Sequence, residues 1–172
     1  MEIPKYSKIE NERRWLIPSS YANSLRHIPY KKIDDLYLNC GRLRLRAITD
    51  SQTGKLEYKL CKKYGSISKV AEPIVNIYLT VEEYAAFSTL PGFKLTKRRY
   101  KKIIESVQYS FDIYDGELSG LILCEAEANS EDSLNKISGP DIFDEEVTEN
   151  PALRGGQLCR LSPLEIKKIL NR

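Results

Sequence analysis

The sequence has few of the residues on which nucleophilic catalysis usually depends. Its 172 residues include one histidine, one tryptophan and one methionine. Four cysteines stand far apart, at Cys40, Cys61, Cys124 and Cys159. No Cys-x-x-Cys pair occurs, which argues against a zinc site and predicts reduced thiols in an intracellular protein. A Ser–His or Cys–His mechanism would have to use His27, and no supporting motif surrounds that residue.

Long apolar runs and a strong excess of one charge are also missing. No run approaches the ~20 apolar residues needed to cross a bilayer. The first residues, M-E-I-P-K-Y-S-K, lack an apolar signal core, so we expect a cytoplasmic protein without a membrane partner. The net charge is only +3, from 27 basic and 24 acidic residues, which argues against a nucleic-acid partner held by bulk charge. The length favours one domain spanning 1–172.

What the sequence has instead is alternating patterns typical of β-strands. Strands are predicted at 8–17, 42–48, 55–62, 74–79, 94–104, 107–114 and 121–128. The turn D-S-Q-T-G at 50–54 predicts a hairpin between two of them. Short helices are predicted near 19–28 and 130–137, another after Thr80 with Glu83 completing a capping box, and a C-terminal one at about 162–171. Strands joined mainly as neighbours predict an antiparallel barrel or sandwich with added helices.

Charged residues share one face on several of these strands, because side chains alternate sides along a strand. The sets are Glu10, Glu12 and Arg14; Arg42, Arg44 and Arg46; Glu57, Lys59 and Lys63; Lys97 and Arg99; Glu125 and Glu127. Three arginines in a row repel one another unless an anion lies opposite. The combination predicts a closed barrel with a polar interior. The alternative is a set of solvated outer faces on a β protein of unrelated function.

Such an interior suits phosphate chemistry. Arginine offers a planar fork to phosphate oxygens, and lysine adds a point charge. Carboxylates two apart on a strand can converge on Mg²⁺ or Mn²⁺, which prefer oxygen ligands. Phosphoryl transfer depends on charge neutralisation and a positioned water, so it needs no histidine or serine nucleophile.

Six short motifs, in order along most of the chain, resemble the CYTH superfamily of triphosphate tunnel metalloenzymes. They are E-N-E-R-R-W-L-I (10–17), R-L-R-L-R (42–46), L-E-Y-K (56–59), L-T-K-R-R-Y (95–100), F-D-I-Y-D-G-E-L-S-G-L-I-L-C-E-A-E (111–127) and E-V-T-E-N (146–150). The resemblance implies an α+β fold: a closed eight-stranded antiparallel barrel, or tunnel, with flanking helices.

The resemblance also implies roles for individual residues. The expected metal ligands for Mg²⁺ or Mn²⁺ are Glu10, Glu12, Asp112, Glu125 and Glu127. The expected triphosphate-binding residues are Arg42, Arg44, Arg46, Lys59, Lys97 and Arg99. Lys97 matches a lysine that orients or activates the attacking water, and Arg14 stands where the signature has a second lysine. Lys97 and Arg14 are therefore the predicted catalytic residues.

The sequence departs from the family pattern at several points. Arg14 keeps the charge of the usual lysine with a different reach. A second E-x-E is reduced to Glu72, and Pro73 is expected to weaken pairing inside that strand. A-L-R-G-G (152–156) stands where the family has Tyr and Lys, so Arg154 could supply the charge there. Lys59 fits the lysine position best, with Lys62 and Lys63 as alternatives.

The predicted function is metal-dependent hydrolysis of a tripolyphosphate or small organic triphosphate, with water attacking the terminal phosphorus. Two alternatives remain. A class IV-type adenylyl cyclase would release pyrophosphate and cyclic AMP, and it needs a base-recognition site. A catalytically weak polyphosphate- or nucleotide-binding module would bind without metal-dependent turnover. The pattern does not distinguish a monomer from a homodimer.

Overall fold

The computed structural model describes residues 3–140 and 142–170, and this part of the chain forms nine β-strands and five short α-helices. The strands are β1 (Lys8–Ile17), β2 (Tyr30–Leu38), β3 (Leu43–Asp50), β4 (Leu56–Lys63), β5 (Ala71–Leu79), β6 (Gly92–Ile104), β7 (Val107–Tyr114), β8 (Ile122–Ala128) and β9 (Glu145–Glu146). The helices are α1 (Ala22–Leu25), α2 (Val81–Ser88), α3 (Glu131–Asn135), α4 (Gly155–Leu158) and α5 (Pro163–Leu170).

Eight of the strands close into an antiparallel barrel. Their order around the ring is β5, β4, β3, β2, β6, β7, β8 and β1, and β1 pairs again with β5 to complete it. The predicted hairpin is present, since β3 pairs with β4 from Leu43↔Lys62 to Thr49↔Leu56. The two-residue β9 adds to β1 outside this ring. The closed eight-stranded barrel with flanking helices is therefore confirmed.

The ring closes through a short contact between β1 and β5. Only the four pairs from Lys8↔Ile74 to Asn11↔Ala71 join them, whereas β4 pairs with residues 74–79 of β5. Pro73 lies where the pairing of β5 passes from β1 to β4, and its carbonyl accepts a 3.0 Å hydrogen bond from the Tyr64 amide. A proline is tolerated at such a position because its missing N–H is not needed by a second partner. The strand thus continues through Pro73.

Apolar residues on the outer face form one of two cores. Trp15, Tyr100, Phe111 and Leu25 are all buried there, with Leu25 contributed by α1. On β1, Trp15 alternates with the charged residues Arg14 and Glu12, so its side chain lies on the opposite side of the strand. Trp15 and Tyr100 therefore pack outside the barrel interior.

The second core fills one end of the barrel. It joins inward-facing strand residues such as Leu95 and Leu123 to Leu153, Leu158 and Ile166 of the C-terminal segment. Each of these side chains is less than a tenth exposed. The charged part of the barrel interior is consequently covered on this side by the chain that follows β9.

The predicted helix caps are present. Thr80 and Glu83 form a complete capping box at the start of α2. Ser162 and Glu165 make the reciprocal contacts at the start of α5, with the Ser162 amide donating to Glu165 at 2.8 Å. Asn171, the predicted last residue of this helix, lies outside the described residues. Within the described ranges, no helix is long and apolar enough to span a membrane.

Candidate active site

The barrel encloses a cavity of about 690 Å³. Strand register places charged side chains from different strands opposite one another, as in the pairs Glu12↔Glu127 and Arg14↔Glu125. The predicted residues that line the cavity are Glu10, Glu12, Arg14, Arg42, Arg44, Arg46, Lys97, Arg99, Glu125 and Glu127. Lys63, Glu72 and Arg154, which the sequence offered only as alternatives or remnants of the family pattern, also line it, together with Lys69 and Arg160, which the sequence did not indicate.

Arg14 lies between two carboxylates of the cavity. Its guanidinium donates to Glu12 and, at 3.1 Å, to Glu125, and a further donor reaches the Leu153 carbonyl at 3.3 Å. Burial and the neighbouring carboxylates Glu125 and Glu10 raise the pKa of Glu12 to about 7, although Arg14 opposes the shift. The cavity therefore holds a carboxylate that lacks sufficient positive charge beside it.

Glu125 is held in its charged form. Burial acts in the opposite direction, but Arg99 and Arg14 lower the pKa of Glu125. Glu127, directly opposite Glu12, makes no hydrogen bond or ion pair with the described residues, and burial and Glu10 raise its pKa. One wall of the cavity thus presents carboxylates in quite different electrostatic surroundings.

Lys63 completes this wall from β4. Its ammonium contacts Glu10 at 3.1 Å and Glu72 at 3.2 Å. Burial opposes ionisation of Glu10, but Lys63 lowers its pKa overall. Glu72 also accepts from the Gly65 amide at 3.1 Å. Lys63, one of the two alternatives left open by the sequence, is the lysine of β4 that lines the cavity.

Lys59 shares the inward face of β4 but lies outside the cavity lining. Its ammonium is 3.8 Å from Glu57 and 4.7 Å from the centre of the Tyr78 ring. Four residues along a strand separate side chains by about 13 Å, so Lys59 and Lys63 occupy different levels of the barrel. The structure therefore places Lys59 on the inward face of β4 but outside the cavity lining, and its predicted role in substrate binding stays a prediction.

The arginines of β3 lie against a buried acid, Asp35, that the motifs did not indicate. Arg46 donates from Nε and Nη2 to the two oxygens of Asp35, at 2.6 and 2.7 Å. The Arg44 Nε lies 3.8 Å from Asp35 and has no hydrogen-bond partner within the described residues. Burial opposes the charge on Asp35, but Arg46 and Arg44 lower its pKa to about 2. The sequence signal for this buried acid was an aspartate next to the apolar residues of I-D-D-L-Y-L (33–38).

A second buried acid supports Lys97 and Arg99. Asp112 accepts from Lys97, and Arg99 Nε and Nη2 donate to its two oxygens at 2.6 Å each. Its side chain is fully buried and does not line the cavity. The expectation that Asp112 is a metal ligand does not fit this placement, because its carboxylate is fully buried outside the cavity lining, whereas Glu125 lines the cavity. Burial, together with Arg99 and Arg46, lowers the pKa of Lys97.

The loop after β4 and the C-terminal segment form the cavity rim. The Arg154 guanidinium donates to Ser66 at 2.8 Å across this rim. A Cβ on Gly155 would overlap the Tyr37 hydroxyl, whereas one on Gly156 would meet the Tyr37 ring at an ordinary 3.5 Å. The glycine at 155 therefore lets α4 approach Tyr37, a side chain that lines the cavity and interacts with Arg44.

The residues fit a divalent cation by their chemistry. Glu10, Glu12, Glu125 and Glu127 line the same cavity and offer the oxygen ligands that Mg²⁺ and Mn²⁺ prefer. Within the described residues, no three acidic, cysteine or histidine side chains already stand close enough to form a metal site. Arg14 and Lys63 occupy several of the oxygens instead. Because the pKa of Glu12 is raised, a cation bound beside it would stabilise its charged form.

Comparisons with known proteins agree on fold and length. The chain is 30% identical over 159 residues to the inorganic triphosphatase of Nitrosomonas europaea, covering 90% of this chain and 99% of that protein. A crystal structure of an inorganic triphosphatase matches with a TM-score of 0.57 and 23% identity, covering 90% of this chain and 96% of the other. A Pyrococcus horikoshii protein matches with a TM-score of 0.55 and 18% identity, covering 74% and 82% of the two chains. No family model matches the chain.

Proposed function

Because the chain belongs to the family of the Nitrosomonas europaea inorganic triphosphatase, we propose that it hydrolyses linear triphosphates, with inorganic tripolyphosphate as the main substrate. Its barrel would then be a CYTH-type tunnel. One observation carries the proposal: a cavity lined by ten basic side chains also contains four predicted metal-binding glutamates. This combination suits a polyanion that enters together with a divalent cation.

Several basic residues of the cavity bind the phosphate groups of the substrate. Arg42, Arg44, Arg46 and Arg99 present forked donors to phosphate oxygens, and Lys63 adds a point charge. The buried Arg44 Nε, which has no hydrogen-bond partner among the described residues, is a donor ready for such an oxygen. An unmade hydrogen bond in a buried site is costly, so a phosphate ligand satisfies this group at a net gain.

Two basic residues of the cavity serve the chemical step. Lys97, held by Asp112 beside Arg99, orients the attacking water by donating hydrogen bonds to it. Arg14, held between Glu12 and Glu125, stabilises the negative charge that develops on the transferring phosphoryl group. Neither role requires a histidine or serine nucleophile.

The residues that would hold the divalent cation are Glu10, Glu12, Glu125 and Glu127. A bound Mg²⁺ or Mn²⁺ supplies Lewis-acid neutralisation of phosphate charge. For this to occur, Arg14 and Lys63 must release carboxylate oxygens and turn towards the incoming phosphates. Arg14 and Lys63 would then pair with the glutamates in the metal-free protein and with phosphates in the substrate-bound protein.

An inorganic substrate suits the lining better than an organic triphosphate. Tyr37 and Tyr114 are the aromatic side chains among the lining residues, and both lie close to charged groups, Tyr37 to Arg44 and Tyr114 to Lys97. Recognition of a nucleobase or a thiazolium normally uses an aromatic face in an apolar pocket. A substrate made only of phosphate groups matches a cavity lined mainly by charge.

The test is a phosphate-release screen of tripolyphosphate, thiamine triphosphate and ATP, each with Mg²⁺, Mn²⁺ or EDTA. We expect turnover of tripolyphosphate only with a divalent ion, and loss of about 100-fold in Glu12→Gln. Glu117→Gln makes the same change at an exposed residue and should leave turnover intact. Pyrophosphate with cyclic AMP from ATP would indicate the cyclase instead, and binding without turnover would indicate a binding module. Full activity of folded Glu12→Gln would contradict the metal assignment.

A further inference from the structure

Asp35 has the features of a residue that positions the arginine strand for substrate, without touching substrate itself. Its side chain is fully buried, whereas those of Arg46 and Arg44 are 11% and 18% exposed. Asp35 is not among the residues that line the cavity, but both arginines are. The carboxylate therefore lies behind the cations, on the side away from the ligand.

The contacts of Asp35 fix which donors of Arg46 remain free. Arg46 commits Nε and one hydrogen of Nη2 to the carboxylate in a bidentate pair. Its Nη1 hydrogens and the second Nη2 hydrogen are left for a phosphate. A bidentate pair fixes the plane of the guanidinium as well as its position. Asp35 thus determines the angle at which Arg46 presents its fork.

Asp35 also holds together cations that would otherwise separate. Arg44 lies 3.8 Å from one of its oxygens, and Lys97 is close enough to help lower the pKa of Asp35. Without an anion behind them, like charges on neighbouring strands repel one another. The empty cavity would then lose the arrangement that a triphosphate requires.

We propose that Asp35 is a positioning residue for triphosphate binding, acting through Arg46 and, more weakly, through Arg44. This inference rests on the proposed function for its substrate. Substitution of Asp35 should mainly weaken substrate binding. The Asp35 carboxylate orients arginines that bind phosphate, and it lies away from the glutamates that would hold the metal ion. Loss of a charge-assisted pair of this kind should raise the KM for tripolyphosphate roughly tenfold or more, with a smaller fall in kcat.

A double-mutant cycle tests whether Asp35 acts on substrate binding through Arg46. The variants are Asp35→Asn, Arg46→Gln and the two combined, assayed for kcat and KM with tripolyphosphate and Mg²⁺. If Asp35 acts mainly through Arg46, Asp35→Asn should cost much less in the Arg46→Gln background than in the wild-type protein, and the small remaining loss is the part that acts through Arg44. The double variant removes both charges of a buried pair, so it should fold even if Asp35→Asn alone does not.

Asp34 provides the matched control. It is the adjacent residue of β2, faces the outside, and accepts from the Thr96 hydroxyl at 2.8 Å. Asp34→Asn should change KM less than twofold. The inference is overturned if folded Asp35→Asn keeps the wild-type KM, or if Asp35→Asn lowers kcat/KM as much in the Arg46→Gln background as in the wild-type protein. Absence of turnover in the wild-type protein would instead refute the proposed function, and tripolyphosphate binding measured by calorimetry with the same variants would then decide the role of Asp35.

Discussion

Individual cations of the cavity differ in how firmly they are already bound to acids. Arg46 is committed to Asp35 through two hydrogen bonds, and Lys97 and Arg99 share Asp112. Lys63, by contrast, contacts Glu10 and Glu72 through single bonds longer than 3 Å. A charge-assisted bond strengthens as it shortens. The residues with buried acids behind them are thus fixed in place, whereas Lys63 can change partner when substrate arrives.

Lys63→Ala and Lys59→Ala distinguish two lysines of the same strand face. Lys63 lines the cavity and Lys59 does not. Loss of a charge-assisted contact to phosphate should reduce kcat/KM by roughly 10- to 100-fold in Lys63→Ala. Lys59→Ala should stay within about threefold, since it removes one partly exposed contact with Glu57. Steady-state phosphate release measures kcat/KM for both variants. A larger loss of kcat/KM in Lys59→Ala would show that Lys59, as the motif match predicts, is the lysine that binds substrate.

Asp35 also predicts how stability depends on pH. Its pKa is lowered from 3.8 to about 2 in the folded protein. A carboxyl with a depressed folded pKa contributes stability that is present above its unfolded pKa and lost as the pH falls through the folded value. The contribution corresponds to about 2 kcal/mol, lost between about pH 4 and pH 2.

The measurement compares wild-type protein with Asp35→Asn by urea denaturation at pH 5 and pH 2. Protonated Asp35 resembles asparagine, so the difference in free energy of unfolding between the two proteins should narrow by about 2 kcal/mol at the lower pH. Other acids titrate equally in both proteins and cancel in the difference. A difference that stays constant with pH would contradict the pairing of Asp35 with the arginines.

At the level of elements, period-two alternation identified the inward face of each charged strand, because a closed barrel leaves only two sides to choose between. Alternation does not show how far along the barrel axis a residue lies. That depends on strand tilt and register, which place Lys63 at the cavity and Lys59 beyond it. Nor does it show which acid is already bound to a cation. Asp112 has the parity of a cavity residue but lies behind Lys97 and Arg99.

Two adjacent glycines test how closely α4 packs on β2. Gly155→Ala would place a methyl group against the Tyr37 hydroxyl, whereas Gly156→Ala makes an ordinary contact. Tyr37 is partly buried and packs against the C-terminal core, so moving it away from the added methyl group would loosen that packing. Overpacking of this kind costs about 1–3 kcal/mol, so Gly155→Ala should lower Tm by several degrees.

Gly156→Ala is the control for helix propensity. Alanine favours a helix over glycine by about 1 kcal/mol, so this variant should match or exceed the wild-type Tm. Thermal unfolding followed by circular dichroism measures both. Equal Tm values for the two variants would mean that α4 does not depend on a close approach to Tyr37.

For the whole molecule, net charge conceals the charge of the cavity. The chain carries +3, which argued against a nucleic-acid partner held by bulk charge. The cavity lining has ten basic and five acidic side chains, an excess of five that is larger than the net charge of the entire chain. Charge of one sign inside low-dielectric walls is focused on the interior and affects a ligand more than the same charge on an open surface.

This concentration predicts strong stabilisation by a triphosphate that is not hydrolysed. Imidotriphosphate with Mg²⁺, at a hundred times its Kd, should stabilise the folded chain by about 2.7 kcal/mol and raise Tm by about 5–10 °C. Sulfate at equal ionic strength should produce a much smaller shift, because one tetrahedral anion cannot reach donors on β3, β4 and β6 together. Differential scanning fluorimetry separates the two. Equal shifts would mean that the charges act as an ordinary ionic surface, because only an enclosed cavity lets one linear ligand contact several strands at once.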